Sequence, residues 1–339
     1  MNNAESAKKL SEIMMMPLAA KTLSTLAELG VADLLKEVPL EIDALAQACN
    51  ADQTILLNMF KVVDLLGFFS IDQEKIVKNS PSSELLISDH PQSMRHFCML
   101  FGDEYYRGYE GLHHTCKTGQ SGFKHVFDKT LYQYLDETPT RASVYDLAMR
   151  DFSRPVGTLL ANVCAELFSH AKSVIDIGGG SGVISMELVK HHQHLTACIF
   201  DRHDVCRRSS ESLPANIKDR IQTCAGDFFA DIPKDYDVYV LKNVLHNWNA
   251  QSCLKILNNI SQSLKNSRLL VIEPLVESEE NSPRLLFNAL FQSVICEDGT
   301  YQRCFTDLEE LFSESKLTVV KTQKLPTGHT VIELIRLSN

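Results

Sequence analysis

Apolar residues recur along this chain in two rhythms, and the change comes near residue 155. Over residues 10–36, Leu18, Leu23, Leu26, Leu29 and Leu34 return at spacings of three to five, and Gly30 interrupts them before Val31. That period predicts helix. Residues 41–71 predict two short amphipathic helices around a turn at Asn50-Ala51-Asp52, which ends one helix and caps the next. Gly67 closes the second helix. Phe68–Ile71 and Lys75–Val77 then predict a small hairpin, so this part reads as a winged helix. Residues 81–150 are helical in pattern and rich in aromatics from Phe97 to Tyr134, with Gly119, Gly122 and Pro139 as breaks. Aromatics at this density mostly fill core, and a minority wall an apolar ligand pocket.

Beyond residue 155, Lys172–Gly178, Leu195–Asp201, Tyr236–Leu241 and Arg268–Glu273 are short runs of Val, Ile and Leu separated by helical patterns. Such alternation predicts an α/β fold with a doubly wound, Rossmann-like parallel sheet. Leu317–Lys321 and Thr330–Ile335 flank Leu325-Pro326-Thr327-Gly328 and predict a closing hairpin that puts one antiparallel strand in the sheet. The expected domains are a winged-helix domain over 1–98, a helical connector contributing to an acceptor pocket over 99–154, and a catalytic domain over 155–339.

A winged helix commonly binds DNA. Residues 41–78, however, hold three lysines against six acidic residues, and the whole chain holds 33 basic against 43 acidic residues, a formal charge of −10. Such a surface repels phosphate backbones and anionic lipid, so no nucleic-acid or membrane partner is expected and the N-terminal domain reads as structural or dimerising. None of the 10 cysteines forms a CxxC pair, and several sit in apolar runs, as expected of small buried hydrophobes in a reducing compartment. The N-terminus lacks the apolar stretch of a signal peptide, and no run approaches a membrane span; the expected location is cytoplasmic.

The most specific motif is Val174-Ile175-Asp176-Ile177-Gly178-Gly179-Gly180-Ser181-Gly182, an apolar strand entering a glycine-rich turn before a helix. The dinucleotide fingerprint GxGxxG fails, because Val183 stands where its third glycine belongs. A nicotinamide oxidoreductase is disfavoured on that ground. The spacing Asp176, Gly178, Gly180, Gly182 suits a nucleoside without a pyrophosphate, with Asp176 helping to position a cationic amino-acid portion. Asp201 ends the next strand, where an acid accepts hydrogen bonds from ribose hydroxyls. In Gly226-Asp227-Phe228-Phe229, Asp227 is a candidate acceptor for an adenine amino group and Phe228 for packing on the ring. Lys242, at the end of the fourth strand, is placed for the ligand's carboxylate. His246 lies four residues further and is the candidate general base, with Glu273 at the end of the fifth strand to orient it. Trp248, the one tryptophan, reads as packing.

Together these residues resemble the small-molecule O-methyltransferase family that includes caffeic acid and acetylserotonin O-methyltransferases. LAELGVADLL, VIDIGGGSG, FDRHDV, GDFF, LKNVLHNW and LLVIEPLV follow the family's order over nearly the whole chain. The resemblance implies that Gly178, Asp201, Asp227, Phe228 and Lys242 bind S-adenosylmethionine, that His246 is the base acting on a small-molecule acceptor, that catalysis is metal-free, and that the chain forms a homodimer. It also implies that Glu273 is one of two carboxylates flanking the base. The sequence departs from the pattern twice. His203 replaces a usual proline, and Gln302 stands where the second glutamate is expected. Glutamine can hold an imidazole by hydrogen bonding but cannot balance its charge; Glu297 is the alternative partner. The missing glutamate keeps open a related enzyme that uses the same cofactor for C- or N-methylation, hydroxylation or decarboxylation. A non-enzymatic winged-helix regulator would need a basic surface that this sequence lacks.

Overall fold

Asn2 accepts a hydrogen bond from the Glu5 N–H at 2.9 Å while Glu5 Oε2 accepts one from the Asn2 N–H at 2.9 Å. This capping box starts the first helix, Asn3–Glu28, well before its leucine pattern begins. The computed structural model describes residues 2–276 and 283–337. The helix buries a face only from Ala19 onward; Leu18, expected on the packed side, is 58% exposed, in line with Leu10, Ile13 and Met14 to Met16 before it.

The chain packs as two units, Met1–Tyr106 and Arg107–Asn339. The sequence pattern divides it after 98 and 154 instead. In the first unit, helices Ile42–Ala48 and Gln53–Asp64 flank the expected turn, and the Asp52 carboxylate accepts from the Ile55 N–H at 2.9 Å as the cap. The wing is larger than the predicted hairpin. Strand β1 (Leu40–Glu41) adds to β2 (Ser70–Ile71) and β3 (Ile76–Lys78), giving the order β1-β3-β2. Leu26, Leu45, Leu56, Phe60 and Phe69 form the core of this unit.

The second unit carries a seven-stranded sheet. Its strands are β4 (Ser173–Ile177), β5 (Thr196–Asp201), β6 (Ile221–Ala225), β7 (Val238–Lys242), β8 (Arg268–Pro274), β9 (Leu317–Lys324) and β10 (His329–Arg336), in the order β6-β5-β4-β7-β8-β10-β9. The first five are parallel, and β10 runs antiparallel to both β8 and β9, as the closing hairpin predicts. Strand order reverses between β4 and β7, the point in such sheets where ligands bind beyond the carboxyl ends.

Alternate residues of each strand feed two cores. Ile175, Tyr239, Leu241, Leu269 and Val271 pack with helices Ala250–Ser263 and Phe305–Glu314. Val174, Val240, Leu270 and Ile272 pack with helices Pro139–Val163 and Val183–His191. Burial on both faces explains why these strands read as unbroken apolar runs. No helix among the described residues is long and apolar enough to cross a membrane.

Leu270 is fully buried in β8. Leu270→Ala should lower unfolding free energy by about 2–5 kcal/mol, since the sheet cannot collapse around the lost side chain. Urea unfolding measures this; a loss below about 1 kcal/mol would mean the core relaxes into the gap.

Candidate active site

The turn after β4 is shaped by its glycines. Gly182 sits at φ +74°, and a Cβ there would meet Ile199 Cδ1 at 2.3 Å, so both backbone and space demand glycine. Gly180, at φ +56°, has nothing within 4 Å of where its Cβ would stand, leaving the outer side of the turn open to a ligand. Gly178 is hydrogen-bonded to Phe200 O through its N–H at 2.8 Å, which ties the turn to β5.

Asp201, at the end of β5, uses one lone pair of each oxygen on the backbone: Oδ2 accepts from the Gly180 N–H at 2.9 Å and Oδ1 from the Arg202 N–H at 2.7 Å. Burial raises its pKa, against those two hydrogen bonds. Asp227 is exposed, and its Oδ1 accepts from the Phe229 N–H at 2.8 Å. Phe228 lies beside Gly178, with Cε1 3.7 Å from where a Cβ would be.

Asp176, buried, and Lys242, half-buried, form a charge-coupled pair at the carboxyl ends of β4 and β7. Burial pushes the Asp176 carboxyl up to about 7, opposed by the Lys242 charge and a 3.3 Å hydrogen bond from Ser185 Oγ. Burial pulls the Lys242 ammonium down to about 8, opposed by Asp176 and Glu273. Lys242 Nζ donates to Ser153 Oγ at 2.6 Å and lies 5.8 Å from the centre of the Phe152 ring.

Past Lys242 the chain turns sharply at Asn243, whose φ is +54°. His329 Nε2 lies 3.1 Å from Asn243 Oδ1 and braces the turn. His246 follows on a single 3₁₀ turn, Leu245–Asn247, rather than one α-helical turn beyond Lys242. Glu273, 2% exposed at the end of β8, organises this loop. Its Oε1 accepts from the N–H groups of Val244 at 3.0 Å and Leu245 at 2.8 Å, and its Oε2 lies 2.5 Å from His246 Nδ1. That pairing places the proton on Nδ1 and leaves Nε2 as the basic nitrogen. Arg303 closes the loop from below: Nη1 donates to Leu245 O at 2.9 Å and Nη2 to Trp248 O at 2.7 Å.

Neither proposed substitute for a second carboxylate pairs with His246. Gln302 directs Nε2 at Pro274 O, at the 3.5 Å limit of a hydrogen bond, and its Oε1 has no partner. Glu297 is committed elsewhere: it accepts from the Asn249 N–H at 2.8 Å and Ser252 Oγ at 3.0 Å, at the start of helix Ala250–Ser263. Trp248 packs as expected, stacked on Tyr132 at 5.5 Å and edge-on to Phe229 at 4.8 Å. Ser153, Asn243, His329 and Arg303 escape a reading of the sequence, because their partners lie far away along the chain or on the backbone.

A family model for the O-methyltransferase domain matches residues 109–316. The chain is 29% identical over 337 residues to the phenazine O-methyltransferase PhzM of Lysobacter antibioticus, covering 98% of each. The solved structure of LaPhzM matches with a TM-score of 0.91 at 26% identity, over 98% of this chain and 99% of that one. Human N-acetylserotonin methyltransferase, solved in complex with SAM, shares the fold with a TM-score of 0.88 at 22% identity, over 100% of both chains.

The Asp176 carboxyl has a testable consequence. In the unfolded chain it titrates near 3.8 and in the native protein near 7. Between those values the native state holds a proton the unfolded state has released, so stability falls as pH rises and the loss is complete above about pH 7. Asp176→Asn should therefore lose less melting temperature than the parent between about pH 5 and 7.5. Equal slopes would show that Asp176 is not buried as a proton-holding group.

Proposed function

Because the chain belongs to the O-methyltransferase domain family, we propose that it transfers a methyl group from S-adenosylmethionine to a hydroxyl of a small aromatic molecule, with His246 as general base. The observation that carries this reading is the Glu273–His246 pair, formed between the carboxyl end of β8 and the loop after β7, at the edge of the sheet where ligands bind in such folds. When bound, S-adenosylmethionine supplies an electrophilic methyl group on a sulfonium.

The residues around the glycine turn fit that cofactor. Asp201 keeps a lone pair on each oxygen for the two ribose hydroxyls. Asp227 Oδ2 is available to the adenine amino group, since Oδ1 serves the backbone. Phe228 offers a ring face beside Gly178, and Gly180 leaves room for backbone approach. The cofactor's amino-acid portion carries both charges, and the half-buried Lys242 and buried Asp176 offer their complements: ammonium for its carboxylate, carboxylate for its ammonium. Each would regain as an ion pair part of what it lost in hydration.

His246 Nε2 removes the acceptor's hydroxyl proton, and Glu273 holds the ring and balances the imidazolium that results. A single carboxylate does this work, because Gln302 brings no charge. The exposed apolar run from Leu10 to Leu18 supports pairing of two chains through the N-terminal unit; a chain that sediments as a monomer at micromolar concentration would refute it.

His246→Ala should reduce turnover about 100-fold or more and leave S-adenosylhomocysteine affinity unchanged. Asp201→Ala should do the reverse first, weakening calorimetric binding of S-adenosylhomocysteine in a chain with native circular dichroism. If His246→Ala lost affinity as much as turnover, the base assignment would fail.

A further inference from the structure

Helix Pro283–Ile295 carries a buried amide with nothing to bind. Gln292 is 1% exposed, and neither its Nε2 nor its Oε1 has a hydrogen-bond partner. Burying an amide costs the hydration of both its donor and its acceptor, so native proteins almost always pair them. Both atoms are unpaired, so the argument holds for either orientation of the amide. Gln302 Oε1 is a second unpartnered, buried side-chain oxygen in the same stretch of chain.

The segment that carries these two amides is tied to the residues around His246 and Glu273. The Cys296 N–H donates to Gln292 O at 3.0 Å, and Cys296 Sγ reaches Asn247 Oδ1 at 3.3 Å. Side chains four apart on a helix share a face, so Gln292 lies on the face that meets the residue after His246. Thr300 Oγ1 donates to Asn247 O at 3.4 Å and Ser293 Oγ to Thr300 O at 3.3 Å, which fixes the returning strand of chain against the same loop. On its other side Gln302 Nε2 points to Pro274 O, one residue past Glu273.

Resting on the methyltransferase reading, we propose that Gln292, with Gln302, recognises the acceptor molecule through a primary carboxamide, a neutral group that carries a C=O acceptor and two N–H donors on one carbon. A side-chain amide pairs with such a group through two antiparallel hydrogen bonds. A carboxylate has no hydrogen to give. It would leave the oxygens of Gln292 and Gln302 unpaired and set its own oxygens against them. It would also bring a second negative charge towards Glu273. The rival partner for a carboxylate is Arg303, whose Nε is also unpaired, although its other two nitrogens are spent on Leu245 O and Trp248 O. Two unpaired oxygens against that single cationic donor favour the neutral group.

Hydroxybenzamides and the matching hydroxybenzoates, in ortho, meta and para forms, separate the two. Methyl transfer is measured with S-adenosylmethionine, and acceptor binding by calorimetry on the S-adenosylhomocysteine complex. The amides should be favoured at least roughly 10-fold in kcat/KM or affinity. Gln292→Met, which keeps the volume and removes both unpaired polar atoms, should cut that preference to within about 3-fold, with S-adenosylhomocysteine affinity unchanged and Tm no lower than that of the parent. A preference for the benzoates, an amide preference that survives Gln292→Met, or no amide binding to the complex would each overturn the proposal. A chain that binds no S-adenosylhomocysteine would instead sink the methyltransferase reading beneath it.

Discussion

Glu273 ends β8 with a buried carboxylate whose two oxygens reach three groups on one loop: the N–H groups of Val244 and Leu245, and the imidazole of His246. The loop has no regular structure beyond a single 3₁₀ turn, so it has little internal bonding to define its shape. A carboxylate accepting two backbone donors supplies that definition, much as a cap does for a helix end. The same group then fixes the ring that the loop carries. Backbone conformation and side-chain tautomer are thus set by one residue on a strand paired on both sides. Arg303 beneath the loop and His329 beside Asn243 complete the support, and both act on backbone or amide groups rather than on the imidazole.

A second constraint is electrostatic. Asp176, Lys242 and Glu273 are clustered where the strands end, and burial shifts the first two away from their charged forms while their mutual attraction opposes the shift. A protein selected for stability alone would fill this space with apolar side chains. On the proposed function, unlike charges kept there, partly desolvated, suit a ligand that carries both signs. The glycine turn contributes the complementary feature, an open backbone surface where no side chain can intrude. Shape and charge are both in place before any ligand arrives, so less reorganisation is needed on binding.

Much of this arrangement was legible because the sheet is buried on both faces. Its strands therefore appear as apolar runs, and each site residue falls just after one: Gly178 after β4, Asp201 ending β5, Asp227 after β6, Lys242 ending β7, Glu273 near the end of β8. Position in a parallel sheet carries the information, which is why the Glu273–His246 pairing could be expected across 27 residues. What stayed hidden depends on distance or on backbone. Ser153 meets Lys242 across 89 residues from a helix whose pattern says only that it is amphipathic. Strand β1 is two residues long and has no periodicity to read. The start of the first helix was written in the sequence, since Asn2 and Glu5 have capping-box spacing, but leucine spacing is the louder signal and points further along. Gln302 stands out in the sequence by its departure from a pattern, but its amide is directed at Pro274 O rather than at the imidazole, a partner on the backbone that no spacing announces.

The departure at Gln302 also changes how the site divides its labour. With carboxylates on both sides, a histidine's charge and its position would be shared between two elements, the end of β8 and the segment that follows helix Pro283–Ile295. Here β8 alone carries both functions, through Glu273. The segment from Gln292 to Arg303 does not hold the His246 imidazole, yet it keeps buried amide atoms without partners and remains tied to Asn247. A polar atom that neither holds the fold together nor supports the base is retained at the cost of its own hydration. The simplest physical account is that the missing hydrogen bonds are supplied from outside the chain. On that account Glu273 holds the His246 imidazole from β8, while the facing segment meets the molecule that enters the site.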